Sequence, residues 1–335
     1  MTKIAINGLG RMGKLVLRSL IDNGVNGEVV LLNDPGCDIE QHALLLEFDT
    51  VHGRWAADVT HDTDHITINE NRMRLTGVWS PAELPLKEMG IDVVIDCTGK
   101  FKTPEAIQPY FDVGVKKVVV SAPVKEGAVN IVYGVNHDIY DAKSHDIVTA
   151  ASCTTNCLAP VVKVLLDNFG IKHGSMTTIH DVTNTQTIVD RPSKDMRRAR
   201  SALNSLIPTT TGSAKAITMI FPELKGKLNG HAVRVPLLNA SLTDCVFELE
   251  REVTEDEVNA AFEEAANGAL KGILGLEKRP LVSCDFTNDD RSAIVDGPST
   301  MVINGTQLKL YVWYDNEWGY AWRLADVTRM VIDAL

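Results

Sequence analysis

Cysteine, serine and threonine crowd together in Ala151-Ser152-Cys153-Thr154-Thr155-Asn156-Cys157-Leu158-Ala159, residue types suited to covalent chemistry. An extended apolar segment, 146–151, runs into a helical period of Leu158, Val161, Val162, Leu165 and Leu166. That pattern predicts a helix with Cys153 at its N-terminus. The unpaired N–H groups and positive dipole end of a helix favour an anion, which makes Cys153 a candidate thiolate nucleophile. Ser152, Thr154 and Thr155 add hydroxyl donors of the kind that hold a phosphate or a developing oxyanion. The competing reading is a buried cysteine acting as a small hydrophobe, and Cys157, on the face of Leu158 and Val161, takes that reading.

A thiol nucleophile needs a base. Of nine histidines, His180 is best placed, at the end of the strand Met176-Thr177-Thr178-Ile179 and just before a polar segment, although strand-end histidines are commonly capped surface residues. Arg191, Arg197, Arg198 and Arg200 cluster in or near the segment 181–200, Thr209-Thr210-Thr211-Gly212 offers hydroxyls on a flexible backbone, and Arg234 ends another strand. Together they make one or two anion sites, against the alternative of a solvated basic face.

The N-terminus supplies the elements that would position a nucleotide. A strand from Lys3 to Asn7 runs into Gly8-Leu9-Gly10-Arg11-Met12-Gly13 and then a helical run from Leu15 to Ile21. The first glycine permits the tight turn, the second lets the backbone approach a pyrophosphate, and the third lets the helix pack on the strand. A second strand, Glu28 to Leu32, ends at Asn33-Asp34, and Asp34 lies about 20 residues beyond the last glycine, where an acid would bind ribose hydroxyls. Its charge repels a 2′-phosphate and favours NAD over NADP. Apolar runs at Ile91 to Cys97 and Lys116 to Pro123 put Thr98, Gly99 and Ser121 at the carboxyl ends of parallel strands, where open α/β sheets bind ligands, with plain turn residues as the alternative. A thiolate beside a bound nicotinamide points to aldehyde oxidation, because sulfur addition makes a tetrahedral carbon that can expel hydride.

The 335 residues are enough for two domains. Strands alternate with helices to about residue 150, the signature of a doubly wound parallel sheet; the reading includes one long strand from Ile66 to Leu75. Later strands at 174–180, 232–235, 241–249, 292–295 and 308–314, joined by helical stretches within 201–221 and over 255–270, suggest a mixed, largely antiparallel sheet. The segment 181–200 has no clear period, and loops of that length are usually functional or form interfaces. Residues 318–335 read as an amphipathic helix with Ala321, Leu324, Ala325, Val331 and Leu335 on one face. A net charge of −11 argues against nucleic acid as the main partner. No apolar run has the length of a signal sequence or membrane span, so a cytoplasmic protein is expected. Six scattered cysteines indicate neither a disulfide framework nor a metal site.

Over essentially its whole length the chain resembles the phosphorylating glyceraldehyde-3-phosphate dehydrogenases. The resemblance is carried by 7–13, by Ser152-Cys153-Thr154-Thr155-Asn156-Cys157-Leu158-Ala159-Pro160, by Arg197-Arg198-Ala199-Arg200, by Ile207-Pro208-Thr209-Thr210-Thr211-Gly212, by 222–230 and by Trp313-Tyr314-Asp315-Asn316-Glu317-Trp318-Gly319-Tyr320. It implies a Rossmann-type NAD-binding domain over 1–152, an α+β catalytic domain over 153–317, and a C-terminal helix, 318–335, returning to the first. By this resemblance Cys153 is the nucleophile and His180 its base. Thr183 and Arg234 hold the phosphate of glyceraldehyde 3-phosphate; Ser152, Thr154, Thr211, Gly212 and Arg198 hold the attacking inorganic phosphate. Arg11, Met12, Asp34, Ser121 and Asn316 match the family's cofactor contacts, with Asn316 on the nicotinamide carboxamide, and Gly8, Gly10, Gly13, Thr98 and Gly99 join them from the glycine turn and the strand end. The segment 181–200 corresponds to the interface loop of a homotetramer.

Some stretches depart from the family pattern. Val235-Pro236-Leu237-Leu238-Asn239, Thr149-Ala150-Ala151 and Gly77-Val78-Trp79-Ser80-Pro81 replace familiar sequences, the last near the adenine, and Arg191 stands where an apolar residue is common and could relax NAD selectivity. With 48–55, these departures resemble a branch associated with arsenate resistance, in which arsenate replaces phosphate and the product is an acyl arsenate. The nearest alternative is erythrose-4-phosphate dehydrogenase, which requires water to reach the thioester. An alternative of another class is a redox-sensing or nucleic-acid-binding thiol protein, disfavoured by the acidic chain and by His180.

Overall fold

Runs such as Val93–Asp96 and Lys117–Val120, buried at every position, belong inside a sheet covered on both faces. A computed structural model describes all residues, 1–335, and the chain divides into two units. The first comprises Met1–Tyr133, His137–Ser152 and Ala321–Leu335; the second, Gly134–Asn136 and Cys153–Tyr320. No helix is long and apolar enough to cross a membrane.

In chain order the first unit holds β1 (Thr2–Asn7), α1 (Arg11–Asn23), β2 (Gly27–Asn33), α2 (Ile39–Glu47), β3 (Val59–His61), β4 (His65–Ile68), β5 (Asn71–Thr76), α3 (Leu86–Met89), β6 (Val93–Asp96), α4 (Pro104–Asp112), β7 (Lys117–Val120), β8 (Val129–Asn130) and β9 (Ile147–Thr149). They form one sheet in the order β3-β4-β5-β2-β1-β6-β7-β9-β8. The ladders from β5 through β8 are parallel, while β3, β4 and β5 pair antiparallel. The single strand expected over Ile66 to Leu75 is therefore a hairpin. Its turn contains no glycine; Asn69 supplies the left-handed conformation at φ 52°, a role asparagine tolerates.

The second unit continues with α5 (Cys153–Asn168), β10 (Ile171–His180), β11 (Ile207–Thr210), α6 (Ser213–Ile220), β12 (Leu228–Arg234), β13 (Ser241–Leu249), α7 (Glu255–Asn267), β14 (Leu274–Glu277), β15 (Ala293–Asp296), β16 (Met301–Ile303) and β17 (Gln307–Tyr314). Its sheet runs β11-β12-β10-β13-β17-β15-β14, with β16 on β17. Only β10–β12 and β14–β15 pair parallel, so the sheet is mixed and largely antiparallel. Three short strands, β11, β14 and β16, escape periodicity because each has only three or four residues. The helical stretch within 201–221 narrows to α6, and that over 255–270 ends at Asn267.

The last helix, α8 (Trp318–Asp333), begins in the second unit and continues in the first. Ala321, Leu324, Ala325 and Val331 are fully buried, but Leu335 lies beyond the helix end and is exposed, correcting its assignment to the apolar face. Arg329 donates to the carbonyls of Ser19 and Gly24, fastening α8 to the end of α1.

Two glycines fix the first strand–helix turn. Gly8 has φ +95°, and a Cβ there would come within 2.8 Å of the Cys97 backbone. A Cβ on Gly13 would fall 1.8 Å from the Gly8 carbonyl oxygen, so α1 packs on its own turn only because position 13 has no side chain. Gly13→Ala is expected to destabilise the protein by about 1–3 kcal/mol, the range for forced overpacking. Urea unfolding of the variant checks this, and an unchanged midpoint would contradict the close-approach argument.

Candidate active site

The strand register of the second unit assembles a thiol, an imidazole, a guanidinium and a phenol at one end of the sheet. Pairing of β10 with β12 sets His180 opposite Arg234, and pairing of β13 with β17 sets Ser241 opposite Tyr314. A slip of one residue would turn each side chain to the opposite face. Cys153 opens α5, as its helix-start position requires, and its Sγ lies 3.7 Å from His180 Nε2. Burial resists charging this thiol, but the hydrogen bond and positive charge of His180, aided by Arg234, bring its pKa below the ordinary value. Burial also opposes a charged His180; hydrogen bonds to Asp181 and Cys153 outweigh it and carry the imidazole up to about 9. Each group thus shifts the other toward its charged form, the thiol toward thiolate and the imidazole toward imidazolium. Cys157 behaves as the inert control: it is fully buried against Thr243, and burial pushes its thiol well up.

Tyr314 braces this arrangement. Its hydroxyl bonds Thr154 Oγ1 at 3.0 Å and Thr178 Oγ1 at 2.8 Å, and its ring meets His180 edge-on at 6.1 Å. Thr154, expected to face an attacking anion, is buried with its hydroxyl on Tyr314. Arg234 Nη1 reaches His180 Nδ1 at 2.6 Å and donates to the Asp181 carbonyl at 2.9 Å. Thr183 is bonded to Thr185 and Gln186. Arg198 donates to Thr209 Oγ1 at 3.1 Å, so of the hydroxyls in 209–211 it is Thr209, and not the Thr211 singled out by the family resemblance, that meets this guanidinium. Thr211 Oγ1 accepts from Ser213 N–H, and Gly212 is the cap residue of α6, so both sit at a helix start. Asn316 is buried and accepts from Ser241 Oγ at 2.9 Å.

In the first unit a cavity of about 190 Å³ is lined by Gly8, Gly10, Asp34, Val78, Trp79, Thr98 and Phe101, among others. Gly10 caps α1, and a Cβ there would meet nothing within 4 Å, leaving the main chain open to a close-packed anion. Asp34 accepts the Leu9 N–H through Oδ2 and the Gly36 N–H through Oδ1, both at 2.7 Å. This fixed carboxylate beside a bare glycine turn fits a dinucleotide. Met12 is half-buried in the first turn of α1. Arg11 is paired with Asp49, which also accepts the Val51 and His52 N–H groups and titrates at about 2. Gly99 follows β6 in the left-handed region, and Ser121 follows β7, donating its N–H to the Asp96 carbonyl. Trp79, from the stretch that departs from the family pattern, lies under the Lys100 ammonium at 4.4 Å.

Asn33 and Asn7, which line the cavity, begin a continuous polar chain. Asn33 bonds both the N–H and the carbonyl of Val78 and donates to Asn7; Asn7 donates to Tyr110, and Tyr110 donates to Asp96 at 2.6 Å. Burial raises the Asp96 pKa, opposed by its bonds to Tyr110 and Thr98. Asp181, Asp49 and Tyr314 are the polar residues that sequence reasoning missed. Asp181 carries no sequence signal of its own, since neighbouring residues along a strand point to opposite faces.

Residues 2–104 match the glyceraldehyde 3-phosphate dehydrogenase NAD binding domain, and residues 152–316 match the C-terminal domain of the same family. The chain is 54% identical over 330 residues to glyceraldehyde-3-phosphate dehydrogenase 3 of Nostoc sp., covering 98% of each. It is 50% identical to glyceraldehyde-3-phosphate dehydrogenase 1 of Bacillus cereus, over 98% of this chain and 97% of the relative. Glyceraldehyde-3-phosphate dehydrogenase 1 of Bacillus subtilis is 48% identical, over 98% of both.

The pairing of Cys153 with His180 predicts a pH profile for alkylation by iodoacetamide. The rate should fall as pH drops through a thiol pKa that lies below the ordinary value. In His180→Asn the inflection should move up toward the ordinary thiol value of about 8.5. Superimposable profiles would show that His180 does not ionise the thiol.

Proposed function

The chain belongs to the glyceraldehyde 3-phosphate dehydrogenase family, and from that premise we propose that it oxidises D-glyceraldehyde 3-phosphate to 1,3-bisphosphoglycerate with NAD and inorganic phosphate. The observation that carries the reading is the 3.7 Å approach of His180 Nε2 to a thiol at the first position of a buried helix. Cys153 attacks the aldehyde carbon and His180 delivers its proton to the oxygen, giving a thiohemiacetal. His180 takes that proton back as the carbon–oxygen double bond reforms. Bound nicotinamide supplies the acceptor for the hydride that leaves the same carbon. Phosphate then attacks the thioester and releases the Cys153 thiolate.

Arg234 and Thr183 are proposed to bind the substrate's phosphate, and Ser152, Thr154, Arg198, Thr211 and Gly212 the attacking one. The charge of Arg234 and Arg198 and the helix starts at 153 and 213 support these roles. Arg11, Met12, Asp34, Thr98, Gly99 and Ser121, with the glycine turn at 8, 10 and 13, are proposed to hold NAD, and Asn316 to orient its carboxamide. Trp79 offers an aromatic wall for the adenine in place of the family's usual residues. Exposed Ile188, Val189, Met196, Leu203 and Leu206 support a subunit interface, as in a homotetramer. Six unpaired cysteines suit a reducing compartment such as the cytoplasm.

NADH formation from glyceraldehyde 3-phosphate, measured without oxyanion, with phosphate and with arsenate, tests the proposal. Turnover should require an oxyanion, vanish in Cys153→Ser, and fall by about 10²–10⁴ in kcat for His180→Asn. Arsenate, nearly isosteric with phosphate, suits the same donors, and a marked preference for it would assign the chain to the arsenate branch. Oxyanion-independent turnover would overturn the phosphorylating reading in favour of hydrolysis of the thioester.

A further inference from the structure

Asp181 has no role in the chemistry above, yet its side chain is completely buried and its Oδ1 lies 2.7 Å from His180 Nδ1. Its own carbonyl oxygen is 2.9 Å from the same nitrogen. Two oxygens therefore converge on Nδ1 while Nε2 faces the sulfur. Ser241 Oγ accepts the Asp181 N–H at 3.2 Å and lies 3.5 Å from Asp181 Oδ1; burial raises the Asp181 pKa, opposed by hydrogen bonds to His180 and Asn316. A buried carboxylate held this way is costly without a cation to match it.

We infer that Asp181 is a positioning residue that keeps the proton on His180 Nδ1, completing a Cys153–His180–Asp181 relay. The inference rests on the proposed use of the Cys153–His180 pair and deepens it. It also resolves a competition at Nδ1. Arg234 Nη1 sits 2.6 Å from that nitrogen, but a guanidinium only donates, so it bonds Nδ1 only when the nitrogen carries no proton. With Nδ1 bare, neutral His180 would carry its proton on Nε2 and could not accept one from the thiol. The Asp181 charge tips the balance toward the useful tautomer and offsets the repulsion between Arg234 and an imidazolium. The other groups acting on this centre are Cys153 from α5, Tyr314 from β17 and Glu317 just beyond it.

Removing the carboxylate charge leaves the Asp181 backbone carbonyl as a second acceptor, so the loss should be smaller than for removing the base. Asp181→Asn is expected to reduce kcat/KM for glyceraldehyde 3-phosphate by about 10- to 100-fold and to raise the inflection of the iodoacetamide pH profile, the weakened support from His180 outweighing the lost repulsion between Asp181 and the thiolate. The alkylation needs neither substrate nor NAD, so it reads the relay even if the proposed activity is absent. Asp181→Ser, smaller and uncharged, should shift the profile in the same direction. The unmodified protein gives a measurement independent of folding in the variants: nitrogen NMR of His180 should show Nδ1 protonated across neutral pH. A bare Nδ1, or variant alkylation profiles that overlay the wild type, would overturn the assignment.

Discussion

A thiolate withdrawn from water is tolerable only with a fixed cation beside it, and the second unit is organised around that requirement. The imidazole at 3.7 Å from Cys153 Sγ is held by groups on several elements: Asp181 after β10, Arg234 on β12, Tyr314 on β17 and the sulfur itself on α5. Arg234 and Tyr314 are not adjustable alone, because strand register sets both of them. Arg234 faces His180 because the two residues are partners in a parallel ladder, and Tyr314 reaches both Thr154 and Thr178 because β17 pairs with β13 in the middle of the sheet. The mixed topology therefore assembles the groups that lower the pKa of one sulfur atom.

The cofactor-binding half obeys a different constraint, the close approach of main chains. At Gly13 there is no space for even one carbon, whereas at Gly10 the space is open toward the ligand side. The same motif thus contains one glycine required by the fold and one left free for the ligand. Asp34, anchored by two main-chain N–H groups, presents a carboxylate whose position does not depend on a flexible side chain.

Much of this was legible in the sequence, for a physical reason. Where function depends on local backbone geometry, as at Gly8 to Gly13 or at Cys153 beginning α5, the pattern that makes the turn or helix also names the site. Where it depends on long-range pairing, the sequence is silent. The hairpin β4–β5 reads as one strand because Asn69 turns the chain without glycine or proline. Asp181 is hidden differently. Neighbouring residues in a strand point to opposite faces, so an aspartate following a histidine would not be expected to touch it. Contact becomes geometrically available because β10 stops at His180. Leu335 fails in the opposite sense: it keeps the helical period after the helix has ended.

The polar chain that begins at the cofactor cavity has a direction as well as a location. Asn33 contacts both polar atoms of the Val78 peptide, accepting from its N–H and donating to its carbonyl, which leaves only one orientation for the Asn33 amide. That orientation makes Asn7 an acceptor at its oxygen and a donor to Tyr110, and it leaves the Tyr110 proton pointing at Asp96. The other Asp96 oxygen is already occupied by the N–H and hydroxyl of Thr98. The chain therefore delivers a hydrogen-bond donor to Asp96 Oδ2, with its direction set at a main-chain amide that cannot turn over. The peptide at Val78 thereby acts as a polarity reference for a carboxylate on β6, whose bonds to Tyr110 and Thr98 oppose the rise in pKa that burial imposes.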